Sequence, residues 1–198
     1  VVYYESQFGA IGRRNLATGA RKGIRPRAEK GSPALRFNWM SPILMSPHNG
    51  QTLYFGSQYL HRTHDRGDSW TTISPDLTTN DPEKLKQKES GGLTRDVTNA
   101  ENHCTILCIA PRPVKKGIIW VATDDGVHAL TGSVRPEEGY VVEHWEVYGR
   151  SEGLGSSIVN TVQVDPSNNK WFGTTEGLSR LSDQDGSIVT YTRSNSGL

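Results

Sequence analysis

The side chains of this 198-residue chain best suited to chemistry are acids beside turns. Asp124-Asp125-Gly126 and Thr175-Glu176-Gly177 each place carboxylates at a tight turn. A polar stretch running up to position 103 adds Arg95, Asp96, Glu101 and His103. Two carboxylates flanking a sugar, with an arginine nearby, could serve a glycosidase. One would protonate the leaving oxygen while the other attacks or activates water. The same residues have a plainer use, because acids before glycine accept backbone N–H groups and shape turns. The expectation is that no residue here is catalytic and that these seven mark a ligand face. No cofactor and no metal is expected either. His61 and His64 are three apart, His103 abuts Cys104, and no second cluster completes a tetrahedral set. Phosphate-cradling glycine loops, Gly-x-Ser-x-Gly elbows and His-Glu-x-x-His pairs are absent from the sequence.

Charge narrows the partners. The net charge is +1, yet residues 1–36 carry eight basic groups against Glu5 and Glu29, or +6, so the remainder sums to −5. Aromatics do not interleave with the basic residues as nucleic-acid binding would require, so a solvated sheet edge is the expectation and no nucleic acid is. The opposite charges of the two ends permit head-to-tail association. Cys104 and Cys108, four apart, would lie about 13 Å from each other on an extended strand, beyond disulfide reach. They read as small buried hydrophobes.

The positioning elements are β-strands. Hydrophobic residues are 34%, with 21 glycines and 10 prolines, a mix unsuited to a helical bundle or coiled coil. No run of 18 apolar residues exists, so no membrane helix is expected. No signal peptide and no initiator methionine are present, and a fragment is expected. Three segments share one pattern of aromatic strand, small residue, polar turn and second strand. They are Thr52-Leu-Tyr-Phe-Gly-Ser-Gln-Tyr-Leu-His-Arg62, Ile118-Ile-Trp-Val-Ala-Thr-Asp-Asp-Gly-Val-His-Ala-Leu130 and Lys170-Trp-Phe-Gly-Thr-Thr-Glu-Gly-Leu-Ser-Arg-Leu181. Val2-Tyr-Tyr-Glu-Ser-Gln-Phe-Gly-Ala-Ile-Gly-Arg-Arg14 fits as a fourth copy. The anchor aromatics Tyr3, Tyr54, Trp120 and Trp171 are spaced by 51, 66 and 51 residues. An apolar strand and a proline turn precede the last three anchors, and a further strand follows each hairpin. Four antiparallel strands in about 50 residues is the signature of a β-propeller blade. The expected fold is therefore all-β, a single propeller or part-propeller over 1–198. Its blades are placed at about 1–36, 37–80, 99–148 and 155–198, with 81–98 an inserted polar loop and the first blade lacking its inner strand.

Two resemblances sharpen this. Arg62-Thr-His-Asp-Arg-Gly-Asp-Ser-Trp70 matches the Asp-box, Ser/Thr-x-Asp-x-Gly-x-x-Trp, at Thr63, Asp65, Gly67 and Trp70. With its flanks it resembles bacterial BNR/Asp-box propellers of sortilin (VPS10-like) and sialidase-like type, over about residues 1–125. Trp171-Phe-Gly-Thr-Thr-Glu-Gly-Leu-Ser-Arg180 and the Ser-x-Gly-Leu of Ser151–Leu154 instead resemble propellers of two-component regulators, over about 145–198. The third blade lacks an Asp-box, and the join is placed near 127–139. The resemblance implies a natural mosaic or a chimera recombined from propeller pieces. It also implies a structural role for the Asp-box and a secreted or periplasmic setting. Arginines and a tyrosine nucleophile of a sialidase do not map onto this sequence.

An open stack of blades exposes both end faces. Closure is expected either as a four-bladed ring or, with slight preference, as an eight-bladed ring from two chains. The functional expectation is a non-enzymatic scaffold or binding module that self-associates and takes a glycan or peptide. The alternatives are a glycoside-hydrolase or sialidase-like fragment, and a periplasmic sensor or receptor ectodomain.

Overall fold

A computed structural model describes residues 1–86, 89, 102–111, 117–135 and 139–197. Among them, the regular elements are β-strands, with 3-10 geometry at Gln7–Gly9 and at Glu89. The strands form four antiparallel sheets, each a meander in chain order. Sheet 1 has three strands, β1 (Val2–Ser6), β2 (Ala10–Arg14) and β3 (Arg21–Gly23). Sheet 2 has four, β4 (Ile43–Met45), β5 (Leu53–Gly56), β6 (Leu60–Thr63) and β7 (Thr71–Thr72). Sheet 3 comprises β8 (Cys108–Pro111), β9 (Ile118–Thr123), β10 (Gly126–Arg135) and β11 (Gly139–Tyr148). Sheet 4 comprises β12 (Val159–Val164), β13 (Lys170–Thr174), β14 (Gly177–Leu181) and β15 (Ile188–Tyr191).

The chain divides into two compact units. One is Val1–Asp76 with Asn80–Ile106, and the other is Leu77–Thr79 with Leu107–Leu198. In the first, sheets 1 and 2 share a core of Ile11, Ile24, Phe37, Leu53 and Phe55, edged by Tyr3 and Trp70. Phe37 and Phe55 stack at 5.5 Å, and Phe55 meets Trp70 at 6.1 Å. In the second, sheets 3 and 4 share a larger core that includes Trp120, Val127, Leu154, Val162 and Phe172. Trp120 touches Phe172 at 5.8 Å and Tyr148 at 5.7 Å.

Strand alternation explains which aromatic goes where. An anchor faces the following sheet: Tyr3 borders the core with sheet 2, and Trp120 packs on sheet 4. The residue after an anchor faces the preceding sheet, as Phe55 and Phe172 do. One pattern, read on alternate faces, glues each sheet to its neighbour within a unit.

The expected strands are shorter where prolines and turns intrude. The run at 105–110 becomes extended only from Cys108, because Cys104 has φ 55 and turns the chain. Cys104 is buried, Cys108 half-buried, and both are free thiols. The stretch 69–73 contributes only Thr71–Thr72 to the ladder. Conversely, β10 and β11 each run ten residues, with a bulge between Thr131 and Gly132.

Candidate functional site

The hairpin tips gather most of the sequence-selected residues, and a hydroxyl organises three of these turns. The Oγ1 of Thr123 accepts from the Asp125 N–H at 3.0 Å and donates to the Gly126 carbonyl at 3.3 Å. Thr174 repeats this, accepting from the Glu176 N–H at 3.2 Å and donating to the Gly177 carbonyl at 2.8 Å. Ser57 accepts from the Tyr59 N–H at 3.0 Å in the same way. Gly126 and Gly177 have φ 101 and 137, and a Cβ on either would lie 2.5 or 2.4 Å from a backbone carbonyl oxygen of the next strand. Only glycine fits.

Two carboxylates at these tips, those of Asp124 and Glu176, are engaged. Asp124 accepts from the Thr79 hydroxyl at 2.6 Å and the Thr79 N–H at 3.3 Å. Glu176 pairs with Arg150. The two tips of the second unit meet at one linking segment, since Gly126 N–H donates to the Ser157 carbonyl and the Thr175 hydroxyl to Ser156. Asp124, Asp125 and Glu176 thus lie at one end of that unit. His103 is half-buried in the first unit. Arg95, Asp96 and Glu101 lie outside the described residues.

Thr63, Asp65, Gly67 and Trp70 build the turn between β6 and β7. Asp65 Oδ1 accepts from Thr63 Oγ1 at 2.7 Å and from the Ser69 N–H at 2.9 Å, while Oδ2 accepts from Ser69 Oγ at 2.6 Å. Desolvation pushes its carboxyl up, but these bonds outweigh that and hold it well below the usual carboxylate range. Arg66 and Gly67 have φ 64 and 91. The turn is stitched to sheet 1: Trp70 Nε1 donates to the Ile24 carbonyl at 2.6 Å, and Arg13 donates to the Arg66 carbonyl at 2.9 Å. Arg13 and Lys22 both clasp Asp68. Two charges of the basic N-terminal segment therefore serve this joint. Removing the Asp65 carboxylate leaves a backbone donor and two hydroxyls without their acceptor. Asp65→Ala should cost about 1–3 kcal/mol, with a correspondingly lower urea midpoint. An unaltered midpoint would refute the assignment.

Sequence reasoning missed a cleft in the first unit. It has a volume of about 430 Å³ and is lined by Pro26, Arg27, Glu29, Pro33, Leu35, Tyr59, His61, Trp70, Thr71 and Thr72. The imidazole of His61 lies almost wholly out of water, with Nε2 2.8 Å from Ser57 Oγ and Nδ1 3.1 Å from Thr72 Oγ1. Burial pushes it from its ordinary 6.5 down to about 4, so it is neutral at pH 7. The Tyr59 ring meets it edge-on at 6.4 Å. Ser57 and His61 have the spacing of a nucleophile and a base. Yet Ser57 is fully buried and already holds the hairpin turn, so the pair is a structural bridge. The signal for this cleft was the Tyr59-x-His61 alternation beside Trp70, which acquires meaning only once the loop 26–35 is seen to wall it.

No family model matches the chain, and no curated protein matches it. Solved structures do. The extracellular domain of the hybrid two component system BT4673 from B. thetaiotaomicron aligns over 95% of this chain and 23% of its own, at 13% identity and TM-score 0.58. That of BT3049 from the same organism aligns over 97% and 21%, at 17% identity and TM-score 0.53. PorZ, a bacterial surface component of the type-IX secretion system of Porphyromonas gingivalis, aligns over 95% and 25%, at 13% identity and TM-score 0.54. The chain thus spans between a fifth and a quarter of the length of these proteins. At such identities the likeness speaks for architecture alone, and the chain has an all-β fold of propeller type.

Proposed function

We propose that this chain is a non-enzymatic recognition module, part of the ligand-binding propeller of an extracellular or periplasmic sensor or receptor. The observation that carries the reading is the cleft beside Tyr59 and Trp70, where aromatic rings, Arg27, Glu29 and the hydroxyls of Thr71 and Thr72 line one opening. Apolar faces with a few polar groups suit a glycan or a short peptide. The engagement of Asp124 by Thr79 and of Glu176 by Arg150 supports it, because both carboxylates are used in holding the fold. The extracellular setting of the structural relatives supports the location. The Thr63–Trp70 turn, with its buried hydroxyl and left-handed glycine, favours an Asp-box origin for about residues 1–125. A regulator-type origin is assigned to about 145–198.

The test is calorimetric titration with a panel of oligosaccharides and short peptides. A ligand should bind, and Arg27→Ala with Tyr59→Ala should weaken it at least tenfold while the melting temperature changes little. Binding that survives this double change would move the site elsewhere. Turnover of a glycoside, lost on changing Asp124 or Glu176, would overturn the non-enzymatic reading.

A further inference from the structure

The residue before each anchor aromatic is aliphatic in three copies of the repeat, Val2, Leu53 and Ile119, and a lysine, Lys170, in the fourth. Leu53 and Ile119 are buried, as aliphatics at that place should be. Lys170 is nearly as deep, 6% exposed, on the face that sheet 4 turns to sheet 3 within the second unit. Its ammonium bonds Asp183 at 2.5 Å and stands 5.7 Å from the centre of the Trp120 ring. Asp183 lies two residues past Leu181, the strand partner of Lys170, just as Asp65 lies two past Thr63, the partner of Leu53. In this sheet the turn acid is bound to a buried cation. An ion pair at a core place gains little over an aliphatic there, so stability does not account for the lysine. An ammonium also has three N–H groups, and among the described residues Asp183 is the one hydrogen-bond acceptor it meets.

A cavity of about 260 Å³ opens beside this ammonium. Thr131, Glu146 and Tyr148 line it from sheet 3, and Lys170, Ser182 and Asp183 from sheet 4 and its last turn. The lining mixes donors with acceptors. An ammonium only donates, ionised carboxylates only accept, and the hydroxyls of Thr131 and Ser182 do both. Glu146 is ionised at neutral pH, because the Tyr148 hydroxyl donates to it at 2.6 Å and holds its carboxyl below the usual range. One ammonium against two carboxylates leaves a net charge of −1 on the lining, which opposes an anionic ligand. A cationic ligand would meet Lys170 at close range. A hydroxyl group suits both signs at once, accepting from the ammonium and donating to a carboxylate. The volume has room for one ring bearing several hydroxyls, and the half-buried Tyr148 ring offers it an apolar wall.

We propose that the cavity between sheets 3 and 4 binds a neutral sugar ring, whose hydroxyls accept from Lys170 and donate to Glu146 and Asp183. The site lies wholly in the second unit and does not rest on the cleft beside Tyr59.

Nuclear magnetic resonance titration with glucose, galactose and N-acetylglucosamine tests this. At least one sugar should shift the amides of β10, β13 and the turn 182–186 saturably, and its uronate should bind more weakly. Glu146→Gln, at an exposed side chain that keeps an oxygen for Tyr148, should weaken the binding about tenfold, as loss of a hydrogen bond to a charged group does, with an unchanged melting temperature. Lys170→Met, of similar length, should abolish binding while the amide spectrum stays dispersed. Tyr59→Ala, in the other unit, should leave it intact. The absence of a saturable shift with all three sugars overturns the proposal and leaves the cavity to water. Equal affinity in the original chain and Glu146→Gln also overturns it, as does a uronate that binds more tightly than its neutral sugar.

Discussion

Phe172→Ala should destabilise the second unit by about 3–5 kcal/mol, the range for emptying the site of a fully enclosed phenylalanine. The ring is 0% exposed, meets Trp120 at 5.8 Å, and shares its core with Leu154, Val159 and Val162. The loss combines the transfer of the ring to water with a cavity that two pinned sheets cannot collapse to fill. Strand pairing on both sides of β13 holds the walls apart. Phe172→Leu, which keeps most of the volume, should cost less than half as much. Amide hydrogen exchange is the direct measurement. Protection in β9, β10, β13 and β14 should fall in the alanine variant far more than in the leucine one. Equal protection in the two would mean that the core of this unit lies elsewhere.

Acidification should weaken the first unit between about pH 6.5 and pH 4, through His61. Its neutral form is favoured in the fold, because burial lowers it from 6.5 to about 4. An unfolded chain takes up this proton below about 6.5, whereas the folded one resists until about 4. The sign follows. The contribution is complete above the unfolded value, declines as pH falls, and levels off below the folded value, with a total of about 3 kcal/mol. His128, also buried and lowered, acts in the same direction, with Asp125 opposing its desolvation. Neither of its ring nitrogens meets hydrogen-bond geometry, although the Leu77 backbone favours its protonated form. His61→Gln retains polar atoms for Ser57 and Thr72 and removes the titration. In urea melts from pH 7.5 to pH 4, the gap between the original chain and this variant should shrink by about that amount. A gap that stays constant with pH would dismiss the role of His61.

These predictions divide by what each needed. Phe172 could be named from the sequence as the residue following an anchor aromatic in a repeat, and alternation placed it on one sheet face. Asp65 was legible too, because an eight-residue turn carries its own hydrogen-bond partners. His61 was not. Its depressed affinity for a proton comes from burial, and the loop 26–35 that walls its cleft is distant in sequence from its own strand. The acids at Asp124 and Glu176 show the same limit. Their types suggested both catalysis and turns, and only the positions of Thr79 and Arg150 revealed what holds them.

The sequence by itself determined the strands, their pairing into meanders, the turn chemistry and the aromatic spacing. All of these depend on neighbours a few residues apart or on a repeat of fixed length. The tertiary structure alone decided which face of each sheet is covered and which polar groups find partners. It also decided where a cleft opens. Desolvation and hydrogen bonding depend on atoms brought close from remote positions, and local pattern carries no record of those distances.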